Sequence, residues 1–92
     1  MDESALVTRS VQLQLEQGLH IRVCSLVVSI VSPFDGTVQI RHGERSADAS
    51  SMFDLLQLLA LPGAMLDMEA CGPGANEVLD KLAALFSGEI EY

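Results

Sequence analysis

The hydrophobic period of this chain switches repeatedly between two and about 3.6 residues, and that succession restricts it to a sheet with helices stacked on one side. From Val7 to Leu15, Val7, Val11, Leu13 and Leu15 share one face while Thr8, Ser10, Gln12 and Gln14 share the other, the alternation of a half-buried strand. Glu16-Gln17-Gly18 ends it, and the apolar run from about Ile21 to Ser32 predicts a helix that Pro33 stops. Thr37 to Arg41 alternates again, His42-Gly43-Glu44 reads as a hairpin turn, and Arg45 to Asp48 as a short return strand. Ser51 with Asp54 three residues on resembles a capping box opening a second helix. That helix carries Met52, Phe53, Leu55, Leu56, Leu58 and Leu59 and is expected to run until Pro62-Gly63. Ala64 to Cys71 sets Leu66, Met68 and Ala70 opposite Asp67 and Glu69, a fourth strand. After Gly72-Pro73-Gly74, the spacing of Ala75, Val78, Leu79, Leu82, Leu85 and Phe86 predicts a final helix. The order is β-α-β-β-α-β-α. Strands with one apolar face imply a sheet covered on one side, so three helices on that face make an open-faced α+β sandwich.

Ninety-two residues fit one domain, spanning 1–92. An apolar fraction of 49% excludes disorder, and the few aromatics leave the core to Leu, Val, Ile, Ala and Met. Thirteen acids stand against five bases, a formal charge of −8. The bases Arg9, Arg22, Arg41, Arg45 and Lys81 are scattered without a stripe, which argues against a nucleic-acid partner. The longest apolar run, Leu26 to Val31, is broken by Ser29 and too short to span a bilayer. Met1-Asp2-Glu3 is acidic and lacks the apolar region of a signal peptide, so a cytoplasmic protein is expected. Cys24 and Cys71 form no CxxC pair, and with His20 and His42 they do not fall at zinc-ligand spacings, so no metal and no cofactor are expected. Cys24 and Cys71 read as core residues and His42 as a solvated turn residue.

Chemistry points to Gly18-Leu19-His20-Ile21-Arg22. It sets one imidazole at a helix entrance, with an arginine two residues on. The unpaired first-turn N–H groups, the helix dipole and a guanidinium together make an anion site. Imidazole is the side chain whose neutral, nucleophilic form is plentiful at about pH 7. A nucleophilic nitrogen beside an anion site suggests a phosphoryl acceptor.

These residues, with Ala49-Ser50-Ser51-Met52 at their proper distance and the element order, resemble the histidine-containing phosphocarrier (HPr) family of the phosphoenolpyruvate-dependent sugar phosphotransferase system. The resemblance covers nearly the whole chain. It implies an antiparallel four-stranded sheet of spatial order 1-4-2-3 and a monomeric carrier that is not itself an enzyme. It also implies a histidine that takes a phosphoryl group on Nδ1 from enzyme I and passes it to enzyme II A-domains. His20 matches the acceptor and Arg22 its charge partner, with the backbone of Ile21, Arg22 and Val23 facing the phosphate. Ser51 matches a serine that an HPr kinase/phosphorylase modifies in some bacteria, and Met52, Phe53 and Leu56 match part of a partner-docking face. The alternative is a regulatory binding module of the same fold, controlled by serine phosphorylation, with weak or no histidine phosphotransfer. Two departures stand out. Val23 occupies the place of the family's usual proline, adding a backbone N–H at the helix entrance. The first helix has no Lys or Arg after Arg22, where many relatives carry bases that meet acidic partners.

Overall fold

The computed structural model describes residues 6–89, so the acidic start Met1-Asp2-Glu3 lies outside the described residues. The elements follow the expected order: β1 (Leu6–Gln12), α1 (Ile21–Val31), β2 (Thr37–His42), β3 (Arg45–Asp48), α2 (Met52–Leu56), β4 (Met65–Cys71) and α3 (Ala75–Phe86). The four strands form one antiparallel sheet in the order β1-β4-β2-β3, with three helices on its apolar face. This is the open-faced α+β sandwich.

Strand β4 is the spine of the sheet. Ala70 pairs with Val7 on one side and Val38 on the other, and Met68 with Arg9 and Ile40. Val38, Ile40, Leu66, Met68 and Ala70 are buried under the helices. Arg9 falls on the same face and breaks the apolar alternation. It sits on an edge strand, and its guanidinium reaches out to donate to Asp80 of α3. Helix α1 buries Val23, Cys24, Val27 and Val31, a stripe of helical period, and leaves Ile21, Arg22, Ser25 and Ser29 exposed. Helix α3 buries Ala75, Val78, Leu79, Leu82, Leu85 and Phe86.

Two boundaries differ from the sequence expectation. The ladder of β1 stops at Gln12 rather than Leu15, because its partner β4 begins at Met65. Leu13 still exchanges backbone bonds with the chain ahead of β4, accepting from Gly63 at 2.7 Å and donating to Ala64 at 2.8 Å, and the Gln14 N–H turns to Phe86 of α3. Leu13 and Leu15 remain buried. Helix α2 closes at Leu56, well before Pro62. The Gln57 and Leu58 amides tighten onto carbonyls three residues back, Asp54 and Leu55, and Leu59 then reverses the chain at φ 53. The cause is in the sequence. Continued to Leu61, the helix would aim the Leu58 carbonyl at Pro62, which has no N–H, and would hold Leu61 in the conformation that a following proline disfavours.

Candidate functional site

His20 is the N-cap of α1, with extended backbone (φ −97, ψ 175), and its carbonyl accepts the first helical bond from Cys24 at 3.0 Å. The imidazole, half-buried, makes no capping bond to the helix. Ile21, Arg22 and Val23 are the first three helical residues, so their N–H groups have no carbonyl one turn back inside the helix. Arg22 is exposed, while the Val23 side chain is fully buried and fixes that turn to the core. The first turn of α1 contains no acid, whereas α2 carries Asp54 and α3 carries Glu77 in theirs. The positive end of the α1 dipole is therefore not offset within its own turn.

The loop before His20 is held from a distance. Leu19 donates to the Ala60 carbonyl at 3.1 Å. Gly18 takes φ +70, and a Cβ there would stand 2.5 Å from the same oxygen, so only glycine lets the two backbones approach. Leu19 is buried beneath them.

Helix α2, which packs on α1, is entered through Ser51. The Ser51 hydroxyl accepts from the Asp54 N–H at 3.2 Å, which is the forward half of a capping box. The return half is absent: the Ser51 N–H donates to the Asp48 carbonyl at 3.0 Å, and Asp54 reaches only a long 3.5 Å contact from the Asp48 N–H. Asp48 accepts from both the Ser50 N–H (2.9 Å) and the Ser50 hydroxyl (2.6 Å), and these two bonds hold its carboxyl below the usual carboxylate range.

Of the docking residues expected on α2, Phe53 is 71% exposed and Leu56 36%, while Met52 is half-buried against the core. The sequence reading missed Ile21, Leu59 and Leu61 as exposed apolar side chains. Leu59 and Leu61 flank the Ala60 carbonyl that holds Leu19, which sets them beside the His20 loop. Pro62 was the signal for them, since closing the helix early takes both out of the helical stripe.

Three further readings change or sharpen. Cys24 is buried, and desolvation pushes its thiol pKa up, so it packs as a hydrophobe. Cys71 is half-buried at the end of β4 rather than deep in the core. His42 is not a solvated turn residue: it ends β2 half-buried, with Nδ1 at 2.8 Å from the Leu58 carbonyl. No helix among the described residues is long and apolar enough to cross a membrane.

Comparison with known proteins places this geometry. Residues 7–88 match the family model PTS-HPr, described as the PTS HPr component phosphorylation site. The chain is 32% identical over 77 residues to the phosphocarrier protein HPr of Vibrio cholerae, covering 84% of this chain and 91% of that one. It is 32% identical over 82 residues to the phosphocarrier protein NPr of Escherichia coli K12, covering 88% and 91%. The crystal structure of the phosphocarrier protein HPr from Bacillus anthracis superposes with a TM-score of 0.84 at 29% identity, covering 89% of this chain and 98% of that one. The chain belongs to the HPr family of phosphotransferase-system phosphocarriers.

Proposed function

We propose that this HPr-family phosphocarrier accepts a phosphoryl group from enzyme I on His20 and passes it to enzyme II A-domains, carrying the group without catalysing a reaction of its own. The observation that supports this most is the entrance of α1: an acid-free first turn capped by a histidine whose ring makes no capping bond. In the transfer, a ring-nitrogen lone pair attacks phosphorus, the bond to the donor breaks, and the reverse steps deliver the group to the next protein. Arg22 balances the phosphate charge, and the N–H groups of Ile21, Arg22 and Val23 face its oxygens. The transition state of phosphoryl transfer asks for alignment and charge neutralisation, which is what these groups supply. A shallow site with one guanidinium holds the group loosely enough to release it.

The exposed side chains of Phe53 and Leu56, with Met52 at the edge of the core, serve partner docking, and Ser51 is the point at which an HPr kinase/phosphorylase would act. A phosphate on Ser51 would sit at the start of α2, where its charge is tolerated, and would alter the docking face. Incubation with phosphoenolpyruvate and enzyme I tests the carrier role. Acid-labile, base-stable label that disappears in His20→Ala supports it. Acid-stable label from ATP and the kinase, lost in Ser51→Ala, with no acid-labile label in the parent, supports the regulatory module instead.

A further inference from the structure

We infer that His42 is a positioning residue for His20, acting through the segment from Leu58 to Ala60. The inference rests on the reading of His20 as the phosphoryl acceptor. His42 Nδ1 lies 2.8 Å from the Leu58 carbonyl oxygen. A carbonyl only accepts, so Nδ1 carries the hydrogen and donates it. Arg45, the cross-strand partner of His42, reaches the neighbouring carbonyl, with Nη1 at 3.5 Å from the Gln57 oxygen. The tip of the β2–β3 hairpin thus grips the chain where α2 has ended.

That grip falls on a carbonyl with no helical alternative, since the residue one turn on is Pro62. The next residue, Leu59, is the one non-glycine with positive φ among the described residues. Leucine holds that conformation only where its surroundings impose it. Here the buried Leu58 and Ala60 side chains fix either side of it, and the Leu58 carbonyl is tied to His42. The reversal at Leu59 brings the Ala60 carbonyl to Leu19, whose N–H it accepts at 3.1 Å, and against Gly18, where no Cβ fits. Leu19 leads directly into His20. The path runs from an imidazole N–H to the Leu58 carbonyl, through one reversed residue to the Ala60 carbonyl, and on to the Leu19 amide. His42 touches no reacting atom. It sets the backbone against which the acceptor loop rests, and phosphoryl transfer is sensitive to small misplacements.

His42→Asn keeps a donor near the place of Nδ1. His42→Phe keeps a ring and removes the donor, and His42→Gln, a milder change, moves the donor outward. Two readouts are used on the full chain: amide hydrogen exchange of Leu19 relative to the core amide of Met68, and phosphorylation of His20 by potassium phosphoramidate. In the second, the P–N bond of the reagent breaks, ammonia leaves, and a new P–N bond forms on the ring. The expected result is Leu19 exchange raised about fivefold in His42→Phe and His42→Gln, with phosphorylation slowed in step. His42→Asn returns both to the parent values. Unchanged Leu19 exchange in His42→Phe and His42→Gln overturns the inference, as does raised exchange with parental phosphorylation, or a folded His42→Asn that behaves like His42→Phe. Label from phosphoenolpyruvate and enzyme I that survives His20→Ala overturns the acceptor reading itself, and the positioning role falls with it.

Discussion

Gly18→Ala isolates the contact that seats the His20 loop. At φ +70 an alanine pays the left-handed penalty, about 1–2 kcal/mol. Its Cβ would stand 2.5 Å from the Ala60 oxygen, where ordinary contact begins at 3.4 Å, so a backbone carbonyl must retreat by about 0.9 Å. That retreat breaks the Leu19 to Ala60 bond, about 1 kcal/mol. A stiffer unfolded chain returns about 0.4–1 kcal/mol. The net loss is about 1–2.5 kcal/mol, read from the urea midpoint at constant m. Gly43→Ala is the control: φ is +63, but nothing lies within 4 Å of the added Cβ. It keeps the bond and should lose about 1 kcal/mol less than Gly18→Ala. Phosphoryl transfer to and from His20 should fall by up to about 100-fold in Gly18→Ala and stay at the parent rate in Gly43→Ala. Equal stability losses in the two variants, or parental transfer in Gly18→Ala, would refute the reasoning.

Three other outcomes follow from the same geometry. Val23→Pro removes one first-turn N–H, so the lifetime of phosphohistidine should shorten; an unchanged lifetime means that the Val23 amide does not touch the phosphate. Ile21→Glu, at an exposed first-turn position, should raise folding stability by about 0.3–1 kcal/mol and lower phosphoryl occupancy at equilibrium about two- to fivefold, since the new carboxylate takes up the dipole; occupancy that holds or rises contradicts this. For Asp48 the folded pKa lies below its ordinary value, so its contribution to stability is present above about pH 4 and is lost as the pH falls through the lower folded value. Asp48→Asn should therefore flatten the acid branch of a urea-midpoint profile; an unaltered slope there would show that the Ser50 bonds contribute nothing.

Local periodicity made most of the fold legible, and it failed where distant backbone decides. Helix α3 follows its apolar spacing from Ala75 to Phe86, because every residue in that stripe is buried. Strand β1 could not be bounded from its own alternation, since Leu13 and Leu15 stay inward after the ladder has ended. Helix α2 looked longer than it is because leucines favour a helix locally, while Pro62 deprives Leu58 of a helical partner. The site divided in the same way. His20, Arg22 and Ser51 are visible as types at a helix entrance, a local signal. The bonds of the Ala60 carbonyl and of His42 are not, because they join segments far apart in the chain.

The three helix entrances differ in the charge of their first turns. Ser51 caps α2 with its hydroxyl, and Asp54 lies in the first turn; α3 begins at Gly74, with Glu77 in its first turn. In both helices the chain supplies its own negative charge near the positive end of the dipole. In α1 it supplies none, although acids outnumber bases by thirteen to five. Leaving the entrance uncompensated forgoes about 0.3–1 kcal/mol of folding stability. The same amount becomes available to an external anion, and only while that anion is present. A tighter site, with several guanidinium groups, would hold the phosphate too firmly to hand it on. On the reading of His20 as the acceptor, this half-buried histidine at an uncompensated helix end would have its phosphorylated form stabilised by an amount comparable to thermal energy, and a relay that must load and unload needs an interaction of that size.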